Sequence, residues 1–581
     1  MVTEVNIQTE RVDDIPLLIG QQVAMGLPTL IDEVIEGHGN RGGLSIGWTI
    51  VGWLSFILSE ADHRMSYVEP WAAQRLQTLQ TLMPGPGGAP VTAQDFDDDR
   101  LGDVLRYLSD DGQWESLEQR LGAQLVSVYT LPVKRVHLDS TTATLYHAVE
   151  GSTLFAYGHS KDHRPDLPQV KVMLGALDPL GLPLTTLVVP GNRADDGLYW
   201  PAIQQVRAVV PQSGLLYIAD SKMEALGVRA RLAGQGDYYL VPLSQKGDQA
   251  HPEGSRLATL LQPVWSQAQA LVSVYAPDSE DPAVIAQGYE TTQAQAMEVE
   301  GQLIHWQERV LVVYSPTLAA QGEQGLQQRL QRAEAKLRSL TPAPGRGKRP
   351  ATDLVQLQQA AETIVTQHRV GGLFSLTYHE QRSQRRIRGY GQRPPRSVEQ
   401  VRYQLEVVRN EDAIALLSRQ MGWRLYVTNA PPDQLPLTEA VLAYRTASSI
   451  ERNFARLKGR PLGLRPFYVQ REDHVKGMVR LLSLALRILT LMEFVVRRTL
   501  QDQPEPLSGL YPGNPKQSTL RPTTERLLAA FKEVTLTLIH LSGQRISHLT
   551  PLTPLQQRVL SLLGLSAALY VDLAERAPNL S

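Results

Sequence analysis

The run of elements between Lys134 and Leu243 constrains the fold of this chain most tightly. Apolar and polar residues alternate in "KRVHLDSTT", which is the period of a half-buried strand, and "STLFAYGHS" and "QVKVMLGALDPLGLPLTTLVVPG" also read as strands. A helical stretch from about Asp196 to Val210 then leads to a strand in "GLLYIADSKM", a short helix and a strand in "DYYLVPL". Successive strands followed by alternating helix and strand predict an α/β fold, a mixed sheet with helices packed on it.

On either side the pattern changes. From residue 12 to about 125 the chain reads as helical: "IPLLIGQQVAMGLPTLIDEVI" is broken near Gly26 and Pro28, "LSIGWTIVGWLSFILSEAD" follows, and "PGPGGAP" precedes a helix around Leu101 to Leu108. After about residue 247, "ERVLVVYS", "LFSLTYHEQ" and "RYQLEVVRNEDA" read as strands. "LQQRLQRAEAKLRSL" and "DLVQLQQAAETIVTQ" read as long polar helices joined by the basic linker "PAPGRGKRP", which together make an inserted α+β module. "PLTEAVLAYRTASSIERNFARLKG" is an amphipathic helix, and helices continue to about residue 575. The expected organisation is a helical N-terminal module over 1–125, the first part of the sheet domain over 126–247, the insertion over 248–400, the second part over 401–500 and a helical C-terminal region over 501–581.

At 581 residues and 42% apolar content the chain should form more than one folding unit. The absence of cysteine removes disulfides, thiolate zinc sites and cysteine nucleophiles, and fits a reducing cytosol. The thirteen histidines form no HExxH-type pair, so a zinc site is not expected. "MVTEVNIQTERVDD" is polar and acidic and carries no apolar signal segment, which points to the cytoplasm. "GWTIVGWLSFIL" is too short to span a membrane, and "LLSLALRILTLMEFVV" carries Arg487 and Glu493, so both read as buried helices. A net charge of −2 gives no global attraction to nucleic acid, so any such binding must come from local basic patches.

Two aspartates stand out. Asp139 follows an apolar strand and precedes Ser140, Thr141 and Thr142, and Asp220 has the same setting at the end of "LLYIA". Either alone is ordinarily a cap or turn residue. Two in matched contexts can converge, and convergent carboxylates repel unless a cation sits between them. Hard oxygen ligands suit Mg²⁺ or Mn²⁺. The helix over 436–458 offers a third acid, Glu451. Tyr444, Glu451 and Lys458, seven residues apart, share one face within roughly 20° per step. A core-facing stripe is the plain alternative for that face, although such a stripe would not choose Glu and Lys. Elsewhere "GHSKDHRPD" gathers Lys161, His163 and Arg164 just after a strand, as a phosphate contact or a polar turn. "RSQRRIRGYGQRPPR" carries Arg382, Arg385, Arg386, Arg388, Arg393 and Arg396 with Tyr390 and no acid, as a loop that grips DNA backbone or one that is merely solvated. Trp306 is a core residue of a strand or a stacking platform for a base.

The stretch "YRTASSIERNFARLK", Tyr444 to Lys458, resembles the Tyr-x2-Arg-x3-Glu-x6-Lys signature of a subgroup of the DDE transposases of bacterial insertion sequences. Tyr, Glu and Lys match, while Ala447 stands at the Arg position. Arg445 and Arg456 lie roughly 120° to 140° away from the Glu451 face on an ideal helix, so neither is a simple replacement. The wider resemblance runs through "LSEADHRMSYVEPW", "YGHSKDHRPDLPQVKVML", "PGNRADDG" and "GLRPFYVQREDHVKGMVRLLSLALRIL", and is to the group numbered sixteen thirty-four in insertion-sequence nomenclature. It implies a ribonuclease H-like mixed sheet with flanking helices, interrupted by the insertion, and a metal triad of Asp139, Asp220 and Glu451 holding two Mg²⁺ or Mn²⁺ ions. It also implies DNA contacts at Tyr444 and Lys458, to which the turn after the strand would add Lys161, His163 and Arg164 and the arginine run Arg385, Arg386 and Arg388. The implied activity is that of a transposase, which binds its element's ends as double-stranded DNA, cleaves by two-metal hydrolysis and joins the 3′-OH ends to target DNA. Such an enzyme would work as a homodimer in the DNA-bound synaptic complex, at the nucleoid and away from any membrane. Two alternatives are a ribonuclease H-like nuclease without strand transfer and a glycoside hydrolase using Asp139 and Asp220 as its acid/base pair, active in EDTA. A DNA-binding protein that has lost catalysis is disfavoured, because all three candidate ligands remain.

Overall fold

The computed structural model describes residues 5–37, 42–245, 256–277, 283–342, 350–389, 391, 394–445, 448–503, 505–541 and 544–575. They form a mixed α/β structure, as the alternation in the sequence predicts, and fall into two units. The first takes residues 1–241, 294–306 and 442–581, and the second takes 242–293 and 307–441.

The first unit opens with strand β1 (Val5–Arg11) and helices α1 (Ile15–Ala24) and α2 (Leu27–Val34). The break between these helices falls at Gly26, whose φ of +68° would strain any side chain, and Pro28 suits the first turn of α2, where its missing N–H is not needed. Helix α3 (Ile46–Glu60) is buried almost all round and starts at Ser45, whose hydroxyl accepts the Trp48 amide at 3.3 Å. Asp97 and Asp110 cap α4 (Asp98–Ser109) and α5 (Asp111–Val128) in the same way.

The sheet of this unit is built from β2 (Arg135–Thr144), β3 (Gln169–Asp178), β4 (Leu182–Pro190), β5 (Leu216–Ala219) and β6 (Tyr238–Leu243). Their order is β4-β3-β2-β5-β6. The β2–β3 and β3–β4 ladders are antiparallel, while β2–β5 and β5–β6 are parallel. Parallel neighbours need a crossover, and α6 (Tyr199–Val209) and α7 (Leu226–Gly234) precede β5 and β6 respectively. The strand expected in "STLFAYGHS" does not form. Both sides of β3 are already taken by β2 and β4, so only Ala156 makes a bridge, to Gln169 where β4 no longer pairs.

In the second unit come β7 (Val272–Tyr275), β8 (Val284–Val299), β9 (Gln302–Tyr314), α8 (Pro316–Leu340), α9 (Leu354–Gln367), β10 (Phe374–Ile387), β11 (Arg396–Arg409) and β12 (Trp423–Thr428). Residues 294–306 at the turn between β8 and β9 belong to the first unit. Leu326, Leu330, Ala333 and Leu337 form an apolar stripe along α8, closed by Ala361, Val370, Leu373, Leu405 and Ile414. β10 and β11 pair as an antiparallel hairpin from Phe374↔Arg409 to Ile387↔Arg396. The arginine run expected as a loop is therefore mostly strand: Arg382, Arg385 and Arg386 lie on β10 and Arg396 begins β11. Tyr390, Arg393 and most of "PAPGRGKRP" lie outside the described residues.

The chain then forms α10 (Leu437–Arg445), which begins in the second unit and ends in the first, followed in the first by α11 (Ser448–Lys458) and α12 (Glu472–Asp502). The single helix expected over 436–458 is thus two helices, and Ala447 lies outside the described residues. Gly477 lets α12 touch α4 backbone to backbone, since a Cβ there would stand 2.1 Å from the Leu105 carbonyl oxygen. The C-terminal region is not wholly helical. Strands β13 (Thr535–Leu541) and β14 (Gln544–Leu549) form a hairpin, and β1 pairs antiparallel along the other side of β13 from Val5↔Leu541 to Arg11↔Thr535.

Arg487 and Glu493 explain why α12 is buried yet charged. Arg487 pairs with Glu118 of α5 and donates to the Ser483 hydroxyl at 2.8 Å. Glu493 is gripped by Arg456, by Arg497 at 2.8 Å and by Arg452 at 3.1 Å. Among the described residues no helix is long and apolar enough to cross a membrane.

Candidate active site

The register of β2 against β5 sets the site. Arg135 to Leu138 pair in parallel with Leu216 to Ala219. There β5 ends, and Asp220 caps the turn that follows by accepting the Lys222 amide at 2.9 Å. β2 runs on to Thr144, paired past Leu138 with β3 alone. Asp139 is therefore in the middle of a ten-residue strand and not at its end. It nevertheless stands level with Asp220, one step past the last rung of the parallel ladder. The carboxyl ends of parallel strands are where open α/β sheets place ligands.

On each aspartate the donors gather on one oxygen. Asp139 Oδ1 accepts the Ser140 amide at 2.7 Å, with the Lys161 ammonium 3.5 Å away. Asp220 Oδ1 accepts the Tyr199 hydroxyl at 2.5 Å and the Lys222 amide. Burial pushes the Asp139 carboxyl above its ordinary value; Lys161 opposes this and the Asp220 charge adds to it. Burial and then Asp220 push the Tyr199 phenol far up, so it stays protonated as a donor.

The sequence matches the transposase DDE domain family over residues 134–488, from just before β2 into α12. The chain belongs to the DDE transposase family. No curated protein matches it significantly. A solved structure of a piggyBac transposase synaptic complex with hairpin DNA aligns with 97% of this chain and 86% of its own at 9% identity and a TM-score of 0.36, a likeness too distant to carry an argument.

Around its aspartates this DDE transposase holds a chain of alternating charges that the sequence did not reveal. Lys161 donates to the Ser140 carbonyl and, at 3.0 Å, to the Ser140 hydroxyl, which donates in turn to Asp195 at 3.1 Å. Lys171 of β3 donates to Asp195 at 2.7 Å. Although burial pushes the Asp195 carboxyl up, Lys171 and Lys161 hold it below the usual carboxylate range. One signal was present: Lys171 interrupts the apolar run "QVKVML", and a buried ammonium requires a partner.

The loop carrying Lys161 is tied down from the other side. Asp162 accepts Lys458 of α11 at 2.8 Å and pairs with Arg465 at 2.9 Å. Lys458, assigned to DNA phosphate by the resemblance, is only 17% exposed and holds this loop. Burial lowers its ammonium pKa, against the pull of Asp162. His163 and Arg164 are exposed, and Arg164 pairs with Asp166 at 2.7 Å.

Glu451 is exposed on α11, which packs against β2 and β3, and Tyr444 is half-buried near the end of α10. Arg456 is committed to Glu493 and, at 2.7 Å, to Glu525. The structure thus brings Asp139, Asp220 and Lys161 together, and among the described residues it shows no group of three His, Cys, Asp or Glu side chains that could hold a metal. In the second unit Arg385, Arg386 and Arg388 are exposed near the Ile387↔Arg396 end of the β10–β11 ladder. Trp306 donates to the Tyr239 hydroxyl at 2.8 Å, within the first unit.

Proposed function

We propose that the chain is the transposase of a bacterial insertion sequence, of the group numbered sixteen thirty-four, which binds its element's terminal repeats, cuts them by metal-assisted hydrolysis and joins the 3′-OH ends to target DNA. The level placement of Asp139 and Asp220 at the end of the β2–β5 ladder, in a chain of the DDE family, carries this reading.

The residues fit a hard divalent cation. Each aspartate has one oxygen engaged by protein donors and one toward which, among the described residues, no hydrogen bond is directed. An ammonium is already drawn to Asp139. Mg²⁺ is commonly held by one or two carboxylates and completes its shell with water and substrate phosphate. Asp139 and Asp220 would hold Mg²⁺ or Mn²⁺, with the exposed Glu451 as the third ligand and a second ion sharing the site. When bound, the metal activates the attacking water and stabilises the leaving 3′ oxygen.

The protein's own groups do the rest. Lys161 offsets the charge of Asp139, and the Asp162–Lys458 pair fixes the loop that offers Lys161, His163 and Arg164 to the DNA backbone, beside Tyr444. The ribonuclease H-like domain would comprise 126–247 and 401–500, with the 1–125 module binding DNA, the 248–400 insertion carrying the arginine hairpin and 501–581 completing the chain. The active form would be a homodimer on synapsed ends at the nucleoid.

The test is the full chain with linear end DNA and a target plasmid. Cleavage and joined products with Mg²⁺, and neither in EDTA, are expected; cleavage that survives EDTA, or cutting without joining, overturns the reading. Within the same assay, Glu451→Gln should shift end DNA as well as the wild type while its cleavage collapses. Lys458→Ala should weaken end binding by about 1 to 3 kcal/mol and keep some cleavage at saturating protein. If both variants lose binding and cleavage in the same proportion, the helix is structural and the third ligand lies elsewhere. For the hairpin, Arg385→Ala with Arg386→Ala should lower the slope of log affinity against log salt by about 2, because two fewer phosphates are neutralised. An unchanged slope in a salt-series titration makes these arginines a solvated surface.

A further inference from the structure

We infer that Tyr199 is a positioning residue for the metal site, a neutral donor that fixes the Asp220 carboxylate so that one oxygen is offered to the cation; this rests on the two-aspartate reading above. Tyr199 is the first residue of α6 and is buried, with 1% of its surface exposed. α6 packs on β3, β4 and α5, so the sheet itself sets the position of the phenol ring. A buried tyrosine hydroxyl ordinarily finds a partner. Here the partner is the Asp220 carboxylate, 2.5 Å away and 21 residues along the chain.

Asp220 has need of such a hold. It is the first residue after the four-residue strand β5 and caps a turn of four residues, so its backbone is no longer clamped on both sides by ladders. The Lys222 amide reaches the same oxygen as the phenol, at 2.9 Å. Two donors on Oδ1 leave the torsion of the carboxylate little freedom and keep Oδ2 available. The two aspartates are also held by different chemistry. Asp139 has an ammonium beside it, which competes with a metal for its charge, whereas the Tyr199 phenol orients Asp220 without neutralising it. Outer partners of this kind govern how tightly a site holds its metal.

Tyr199→Phe keeps the ring and removes the donor. Mn²⁺ titrated into the full chain without DNA and followed by electron paramagnetic resonance should bind about tenfold more weakly to Tyr199→Phe than to wild type. The melting temperature of the two proteins in EDTA should agree, which separates positioning from packing. A second measurement uses the wild-type fold with 3-fluorotyrosine placed at position 199: its ¹⁹F resonance should move on addition of Mg²⁺, and should not move when Asp220→Asn is also present. If wild type binds Mn²⁺ and Asp220→Asn does not, yet Tyr199→Phe binds as tightly as wild type or the fluorine signal ignores Mg²⁺, the role of Tyr199 is overturned alone. If Asp220→Asn binds Mn²⁺ like the wild type, the two-aspartate reading falls and takes this inference with it.

Discussion

Asp139→Asn and Asp220→Asn should each lower end cleavage by about a thousandfold or more, since on the proposed two-aspartate reading each removes a ligand charge of the metal site. Neither should unfold the protein, and Asp139→Asn should do the reverse. Burial and the nearby Asp220 raise the folded-state pKa of Asp139 above its ordinary value. The stability tied to its neutral form is fully present below the unfolded-state pKa and is lost as pH rises through the folded one. At pH 7 an ionised Asp139 therefore works against folding, and the neutral amide relieves it. In EDTA the variant should melt above the wild type at pH 7, by a margin that shrinks as pH falls toward 4. Adding Mg²⁺ should raise the wild-type melting temperature and leave that of the variant unmoved, because only a state that binds the ion gains from it. Wild-type nicking by either variant would overturn the two-aspartate assignment.

Arg487→Met is expected to cost about 3 to 5 kcal/mol of stability, the largest effect of any change distant from the aspartates. Arg487 and Glu118 are 1% and 3% exposed, and their pair joins the long α12 to α5 beneath the sheet. Burial pushes the Glu118 carboxyl up and Arg487 opposes it, so removing the guanidinium leaves a buried carboxylate with only the more distant Arg480 charge and the Thr185 hydroxyl, 3.5 Å away, beside the Thr186 amide. The Thr186 amide, 3.2 Å from Glu118, is too little to replace it. Combining Arg487→Met with Glu118→Leu should recover most of the loss, because an apolar pair needs no counter-charge. Urea unfolding of the two variants separates the cases. A single variant within 1 kcal/mol of wild type means that water reaches the pair.

The two-residue period in "RVHL" and the short apolar run "LLYIA" are enough to predict two strands each followed by an aspartate, because a half-buried strand imposes the first pattern and a fully buried one the second. They cannot show that Asp139 lies mid-strand, since how far β2 extends depends on β3, which lies over twenty residues further on. The buried reading of the α12 segment was legible from Arg487 and Glu493, two charges that lipid would not accept. The C-terminal hairpin was missed although "TLTLIHL" alternates and Ser542-Gly543 is a turn dipeptide, because Leu-rich segments on both sides share the helical spacing. The long β8 was missed for the opposite reason: "ETTQAQAMEV" is too polar for its period to be read as burial. The contacts of Tyr199 and Asp195 around the two aspartates were invisible, because contacts made across a sheet and a crossover helix have no signature at fixed spacing, and Lys171 showed only as a polar break in an apolar run.

The pairing of β1 with β13 has a consequence for how the molecule comes into being. Val5 meets Leu541, so a strand made near one end of the chain waits for a complement made near the other. At roughly 5 to 20 residues per second, translation leaves β1 alone for about half a minute to two minutes. Throughout that interval its backbone edge is unsatisfied, and Ile7, 61% exposed even in the finished fold, lies on it. A message cut short before codon 535 yields a chain in which β1 has no partner strand. Such fragments are matter for chaperones and proteases, so the topology makes the late strand β13 a condition of the protein's persistence.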